Sequence, residues 1–229
     1  MAPTTLVLCA HGTDDPSGRR TVLELAEAVR RVRPELTVAD AYVDVQQPEV
    51  ADVVARYAPD GPVVVVPLLL CGGYHVRVDV ARAVEAWPSA VSAGALGPHP
   101  ALTALLVQRV IEAGGRPGDH VVLAAAGSTR PEATADALDA AADLDRLWAG
   151  PVTTGFGSAA SPSVPEAIQA ARTAGAGRVI IASYLLGHGF FHRKLRSAGA
   201  DLVTGPLGAD PAVVQVVLDR FDEVAALPD

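Results

Sequence analysis

The chain predicts an α/β fold of two tandem, pseudo-symmetric parallel-sheet domains with helices on both faces, and three observations carry that reading. Of its 229 residues 50% are hydrophobic but only 4% aromatic, which suits strands rich in small aliphatic residues and covered on both sides. Apolar runs of strand length alternate with segments of helical spacing. Finally, the motifs run through the chain twice in the same order. Leu8-Cys9-Ala10-His11-Gly12-Thr13-Asp14-Asp15-Pro16 is echoed by Leu123-Ala124-Ala125-Ala126-Gly127-Ser128-Thr129-Arg130-Pro131, and the run Val66 to His75 by Ala182 to Phe191.

In the first half, strands are predicted at Leu6 to Ala10, Val38 to Val43, Val63 to Leu70 and Val91 to Leu96. A helix follows Pro48, with Val50, Val53, Val54 and Tyr57 on one face. Another carries Leu102, Leu105, Leu106 and Val110 and ends in the breaker cluster Gly114-Gly115-Arg116-Pro117-Gly118, which reads as a linker. The pattern then restarts, with strands near Val121 to Ala125, Val152 to Gly155, Val179 to Leu185 and Leu202 to Thr204. Two further matches support the repeat. Gln47-Pro48-Glu49 aligns with Val164-Pro165-Glu166, and Gly97-Pro98-His99-Pro100 with Gly205-Pro206 followed by Asp210-Pro211. The expected domains are therefore 1–115, and 119–229 as a degenerate repeat forming the opposite wall of a cleft.

Composition excludes several function classes. The formal net charge is −8 and no basic run occurs, so a nucleic-acid partner lacks its electrostatic footprint. No apolar run approaches the about 18 residues of a membrane helix. The opening residues show no basic region followed by a cleavable apolar stretch. The expectation is a cytoplasmic protein with neither a membrane nor a nucleic-acid partner. Cys9 and Cys71 lack a CxxC spacing and read as small buried hydrophobes.

Chemistry is expected where strand ends meet, because ligands of parallel sheets bind beyond the carboxyl ends of the strands. His11 follows the first strand, Asp44 the second, and the loop from Leu70 to His75 the third. Neutral imidazole accepts a proton or binds a borderline divalent metal. Two imidazoles and a carboxylate would form an open, labile site. Taken singly, each histidine reads as readily as a helix cap or a local hydrogen-bonding group. What favours a ligand role is the replacement of His11 by Ala126 and of His75 by Phe191 in the second half, since a structural need common to both halves would have kept them in both. His99 reads as a turn residue, His120 as structural, and His188 and His192 as exposed loop residues, with a place on the opposite cleft wall as the alternative.

His11-Gly12-Thr13-Asp14-Asp15-Pro16, the strand end Tyr42-Val43-Asp44 with Pro48-Glu49, the run from Pro67 to Asp79 and Gly97-Pro98-His99-Pro100 together resemble the CbiX/SirB family of sirohydrochlorin chelatases. The likeness covers nearly the whole chain, and the long members of that family are also tandem duplications. The resemblance implies a chelatase-like fold and a lyase that inserts ferrous iron or cobalt into sirohydrochlorin without ATP, in siroheme or cobalamin biosynthesis. The divalent metal is then a substrate, the tetrapyrrole the partner, and no organic cofactor is called for. By resemblance His11 binds metal and accepts a proton, His75 is the second metal ligand, and Asp44 stands near metal and macrocycle. Leu70, Cys71, Gly72, Gly73 and Tyr74 match the loop that lines the tetrapyrrole.

Two departures stand out: Thr13-Asp14 replaces the family's Ser-Arg, and Asp44 its usual glutamate. They leave open a chelatase for nickel or another tetrapyrrole, and a metal or tetrapyrrole carrier without turnover. Arg77, Arg130, Arg193 and Lys194 are candidates for a basic rim toward substrate carboxylates, or else solvated surface charges. Because both cleft walls come from one chain, a monomer suffices and a dimer remains compatible.

Overall fold

The computed structural model describes residues 4–72 and 76–225, apart from the side chains at 76 and 77. Each repeat forms an all-parallel four-stranded sheet. The first contains β1 (Thr5–Ala10), β2 (Thr37–Tyr42), β3 (Val63–Pro67) and β4 (Ala90–Ser92), in the order β2-β1-β3-β4. The second contains β5 (His120–Ala125), β6 (Val152–Phe156), β7 (Val179–Tyr184) and β8 (Leu202–Val203), in the equivalent order β6-β5-β7-β8. The inner strands β1, β3, β5 and β7 are buried at every residue, which is why they read as continuous apolar runs rather than alternating ones.

In the first half two strands are shorter than their apolar runs. The third ends at Pro67, which has no N–H to give the ladder, although the Leu68 amide still donates to the Cys9 carbonyl at 2.7 Å. The fourth ends at Ser92; beyond it the chain stays alongside through Ala93 N–H to Val65 O and Leu96 N–H to Leu69 O, each 2.8 Å.

The helices are α1 (Pro16–Val32), α2 (Val50–Tyr57), α3 (Ala81–Glu85), α4 (Pro100–Glu112), α5 (Pro131–Leu147), α6 (Val164–Thr173), α7 (Phe190–Arg196) and α8 (Pro211–Ala225), with a π-helical turn over Val76–Val80 leading into α3. Local signals set several starts. Asp15 caps α1 by accepting from the amides of Ser17 and Gly18, with Pro16 in the first turn. Ser163 and Glu166 form a reciprocal capping box at α6. One core cluster joins Val7, Ala41, Val53, Val54 and Val65 in the first sheet and its cover. Another joins Val122, Ile168, Val179, Ile181 and Leu195 in the second.

The chain divides at other points than the repeat boundary suggests. One compact unit is residues 1–96 with 209–229, and the other is 97–208. Helix α4, expected to close the first half, packs on β7 and α5, while α8 packs on β3 and α1. The fourth helices are thus exchanged. Equivalent contacts seat them: Arg220 of α8 donates to the carbonyls of Ala95 and Leu96, and Arg109 of α4 to that of Leu207. Leu96 and Leu207 are both fully buried. The cluster at 114–118 joins α4 to β5 inside the second unit and does not separate the two units.

Backbone contacts also revise two of the repeat matches. Tyr42 N–H donates to Pro48 O at 3.0 Å and Phe156 N–H to Pro162 O at 2.9 Å, so Pro48 corresponds to Pro162. Pro165 is instead a first-turn residue of α6. His99 and Asp210 are equivalent, since each side chain accepts the amide two residues on, at the start of α4 and α8. That alignment pairs Gly97-Pro98 with Gly208-Ala209.

Candidate functional site

In the first unit β2 and β3 flank β1 on opposite sides, which makes the carboxyl end of β1 the switch point where parallel sheets open a crevice. His11 is the first residue beyond that strand and is exposed. Across the ladder the backbones continue in register: Val43 N–H donates to Ala10 O at 3.1 Å and Asp44 N–H to His11 O at 3.0 Å. His11 and Asp44 are therefore held side by side by main chain, with both side chains on exposed residues.

Gly12 makes this approach possible. Its φ is +97°, and a Cβ at that position would lie 2.1 Å from Asp44 O. Below the contact, Asp44 Oδ1 accepts the Val45 amide at 2.7 Å, which fixes the carboxylate's orientation. Gln46 Oε1 accepts the Thr13 amide at 2.9 Å and ties the two loops together. Val45 has φ +61°, strained for a β-branched residue. Ala159 at the equivalent place has φ +56°, so the strain belongs to the shared loop design.

The third strand supplies Leu70, which is buried, and Cys71 and Gly72, which are half-buried. Gly73, Tyr74 and His75 lie outside the described residues, as does the side chain of Arg77. Among the described residues no group of three or more His, Cys, Asp or Glu gathers as a metal site. His11 and Asp44 are thus the two members of the expected set that the structure brings together. Cys9 is removed from consideration: it is buried, and burial, reinforced by the charge of Asp79, pushes its thiol up to about 12. Asp14 pairs with Arg19 on the surface at 3.3 Å.

The second unit keeps the scaffold without the chemistry. Gly127 has φ +89°, and a Cβ there would meet Ser158 O at 1.9 Å, the same close approach. Ala126 stands where His11 stands and Ser158 where Asp44 stands. The loss of the carboxylate went unseen in the sequence, because the Pro48 match was out of register.

Of the rim candidates, Arg130 lines an open groove of about 430 Å³ with Ser128, Thr129 and Thr134. Lys194 donates to Gly157 O at 2.6 Å, and Arg193 is exposed. Phe190 is 66% exposed, whereas Phe191 packs on the second core cluster. His120 is buried, with Nε2 2.9 Å from Thr153 Oγ1, and His99 caps α4. His192 overturns its expected place in an exposed loop. It lies in α7, 7% exposed, because the helix turns it inward beside Leu195. His188 lies in the turn just before α7 and is exposed.

Comparison with known proteins fits this layout. The CbiX family model matches residues 5–113 and again 120–224. A sirohydrochlorin cobaltochelatase of Methanopyrus kandleri is 32% identical over 79 residues, which is 34% of this chain and 55% of that protein, so the match spans about half of the relative's length. SirB from Bacillus subtilis with Fe3+ superposes with a TM-score of 0.81 at 20% identity, covering 98% of this chain and 96% of that one. The structure of CbiX described as the terminal enzyme for siroheme biosynthesis in denitrifying bacteria gives 0.69 at 22% identity, covering 98% and 100%. The structural likenesses establish the fold, and the family model, matched once on each repeat, establishes that this chain belongs to the CbiX family.

Proposed function

We propose that this chain is a sirohydrochlorin chelatase, inserting ferrous iron or cobalt into the macrocycle without ATP. The observation that carries the proposal is the pairing of His11 with Asp44 at the switch point of the first sheet, held by Gly12 and replaced by Ala126 and Ser158 in the otherwise equivalent second unit. Support for the substrate comes from the family and from the named activity of the Methanopyrus relative. Support for the metals comes from Bacillus SirB structures holding Fe3+ and cobalt.

Insertion exchanges two pyrrole N–H protons for one divalent ion, so the site has to take up protons and hold the ion loosely. His11 serves as proton acceptor and metal ligand, with His75 as second ligand. Asp44 offsets the ion's charge. Leu70, Cys71, Gly72, Gly73 and Tyr74 line the macrocycle. We assign the protein to the cytoplasm as a step toward siroheme or cobalamin; no described helix is long and apolar enough to cross a membrane.

The test follows the absorption spectrum of sirohydrochlorin as purified protein is mixed with Fe2+, Co2+ or Ni2+. A metal-dependent shift faster than the uncatalysed one is expected with iron or cobalt. His11→Ala should abolish it and leave the melting temperature near wild type, because the side chain is exposed. Acceleration with nickel alone, or with another tetrapyrrole, would move the specificity; binding without acceleration would make the chain a carrier.

A further inference from the structure

The second unit contains a histidine pair whose geometry fixes a tautomer. His192, buried in α7, has Nε2 3.0 Å from the Thr204 carbonyl. A carbonyl only accepts, so Nε2 carries the proton. The ring's other nitrogen, Nδ1, lies 3.2 Å from Nδ1 of His188. With its proton on Nε2, a neutral His192, the ordinary form of imidazole at pH 7 and above, presents its lone pair at Nδ1. The hydrogen in the pair then belongs to Nδ1 of His188. A neutral His188 therefore has its one ring lone pair on Nε2, on an exposed residue, and no described residue hydrogen-bonds that atom.

This is the arrangement that orients metal-binding imidazoles: one nitrogen donates to a fixed acceptor, which sets the tautomer and raises the basicity of the other. We propose that His188 Nε2 is a ligand for a borderline divalent metal ion, forming a second, open station in the unit that lacks the His11 and Asp44 pair. With one imidazole and water completing the shell, the ion exchanges readily. That this is the same ion inserted into the macrocycle rests on the function proposed above; that an ion binds at His188 does not.

The test uses the full-length, metal-free protein with its imidazole nitrogens observed by NMR, then titrated with cobalt(II) alone. Before metal, His188 is expected as the Nδ1–H tautomer and His192 as the Nε2–H tautomer. On titration the ring signals of His188 should broaden, and should still do so in His11→Ala. His99 is an internal control: its Nδ1 accepts the Ala101 amide at 3.2 Å, which puts its own proton on Nε2, and its signals should broaden less. His188→Ala should remove one binding event, and His192→Phe should weaken it about tenfold. An Nε2–H tautomer at His188, or ring signals unmoved by a large excess of cobalt, would overturn the proposal even if His192→Phe failed to fold. Absence of chelatase turnover with intact cobalt binding at His188 would count against the function and leave this site standing.

Discussion

Replacing Gly12 by alanine tests the site and its scaffold together. The new Cβ would start 2.1 Å from Asp44 O, and ordinary contact requires the two loops to part by more than an ångström. The obstacle is backbone, so no side-chain rotation relieves it. Alanine at φ +97° adds about 1–2 kcal/mol for the left-handed conformation, and forced overpacking about 1–3 kcal/mol more. At about 2–4 °C per kcal/mol for a chain of this size, the melting temperature should drop by roughly 4–20 °C. Gly118 supplies the control, with φ +91° and nothing within 4 Å of an added methyl; Gly118→Ala should show the conformational part alone. Gly127→Ala, with its Cβ 1.9 Å from Ser158 O, should destabilise as Gly12→Ala does. The three differ in turnover. Displacing reacting groups by about 1 Å costs on the order of a hundredfold in rate, so metal insertion should collapse in Gly12→Ala and persist in folded Gly127→Ala. Equal melting of Gly12→Ala and Gly118→Ala, or equal turnover of Gly12→Ala and Gly127→Ala, would refute the reasoning.

Three other outcomes follow from the geometry. Val45, at φ +61° and 48% exposed, has strain to lose and little burial to forfeit, so Val45→Gly should raise the melting temperature, and a fall would show that the valine packs productively. His120 and His192 are both held below the ordinary value of 6.5, chiefly by burial. Their folded forms resist protonation, so their contribution is fully present above about pH 6.5 and is lost as pH falls through the lowered folded values. Thermal melts from pH 7.5 to 5 should decline, and His120→Gln should decline less steeply; superimposable slopes would contradict the assignment. Finally, with its thiol near 12, native Cys9 should resist alkylation at pH 8 and react once the protein is unfolded in denaturant. Rapid native labelling of Cys9 would show that the core opens.

Much of the fold was legible because burial on both faces writes itself into composition. Val63 to Val66 admits little but a covered strand, and His11 and Asp44 fall just past strand ends that the apolar runs mark well, whereas the run leading to Cys71 continues three residues beyond its strand. The misreadings have physical causes. Proline is favoured at and just before helix starts, so Pro165 in the first turn of α6 imitated Pro48, whose true counterpart, Pro162, is recognised by the amide its carbonyl accepts. Helix α4 shows an apolar face that fits either sheet, and nothing local to its sequence says which sheet it covers. Glycines mark chain turns, and the cluster at 114–118 is such a turn without being the place where the units part. His192 reads as polar and therefore exposed until its acceptor, a backbone carbonyl on the next strand connection, is known.

The exchange of α4 and α8 makes the two repeats inseparable as folding entities. A protease nick between Gly114 and Gly118 would leave an N-terminal piece that carries a helix suited to the other sheet and lacks the one that covers its own. Neither piece should hold its native core in isolation, and mixing them should restore the fold by complementation. The first sheet, where His11 and Asp44 sit, depends for its cover on α8, the last of the described helices. Trimming the C-terminus back through α8 would therefore disable a site encoded some two hundred residues earlier.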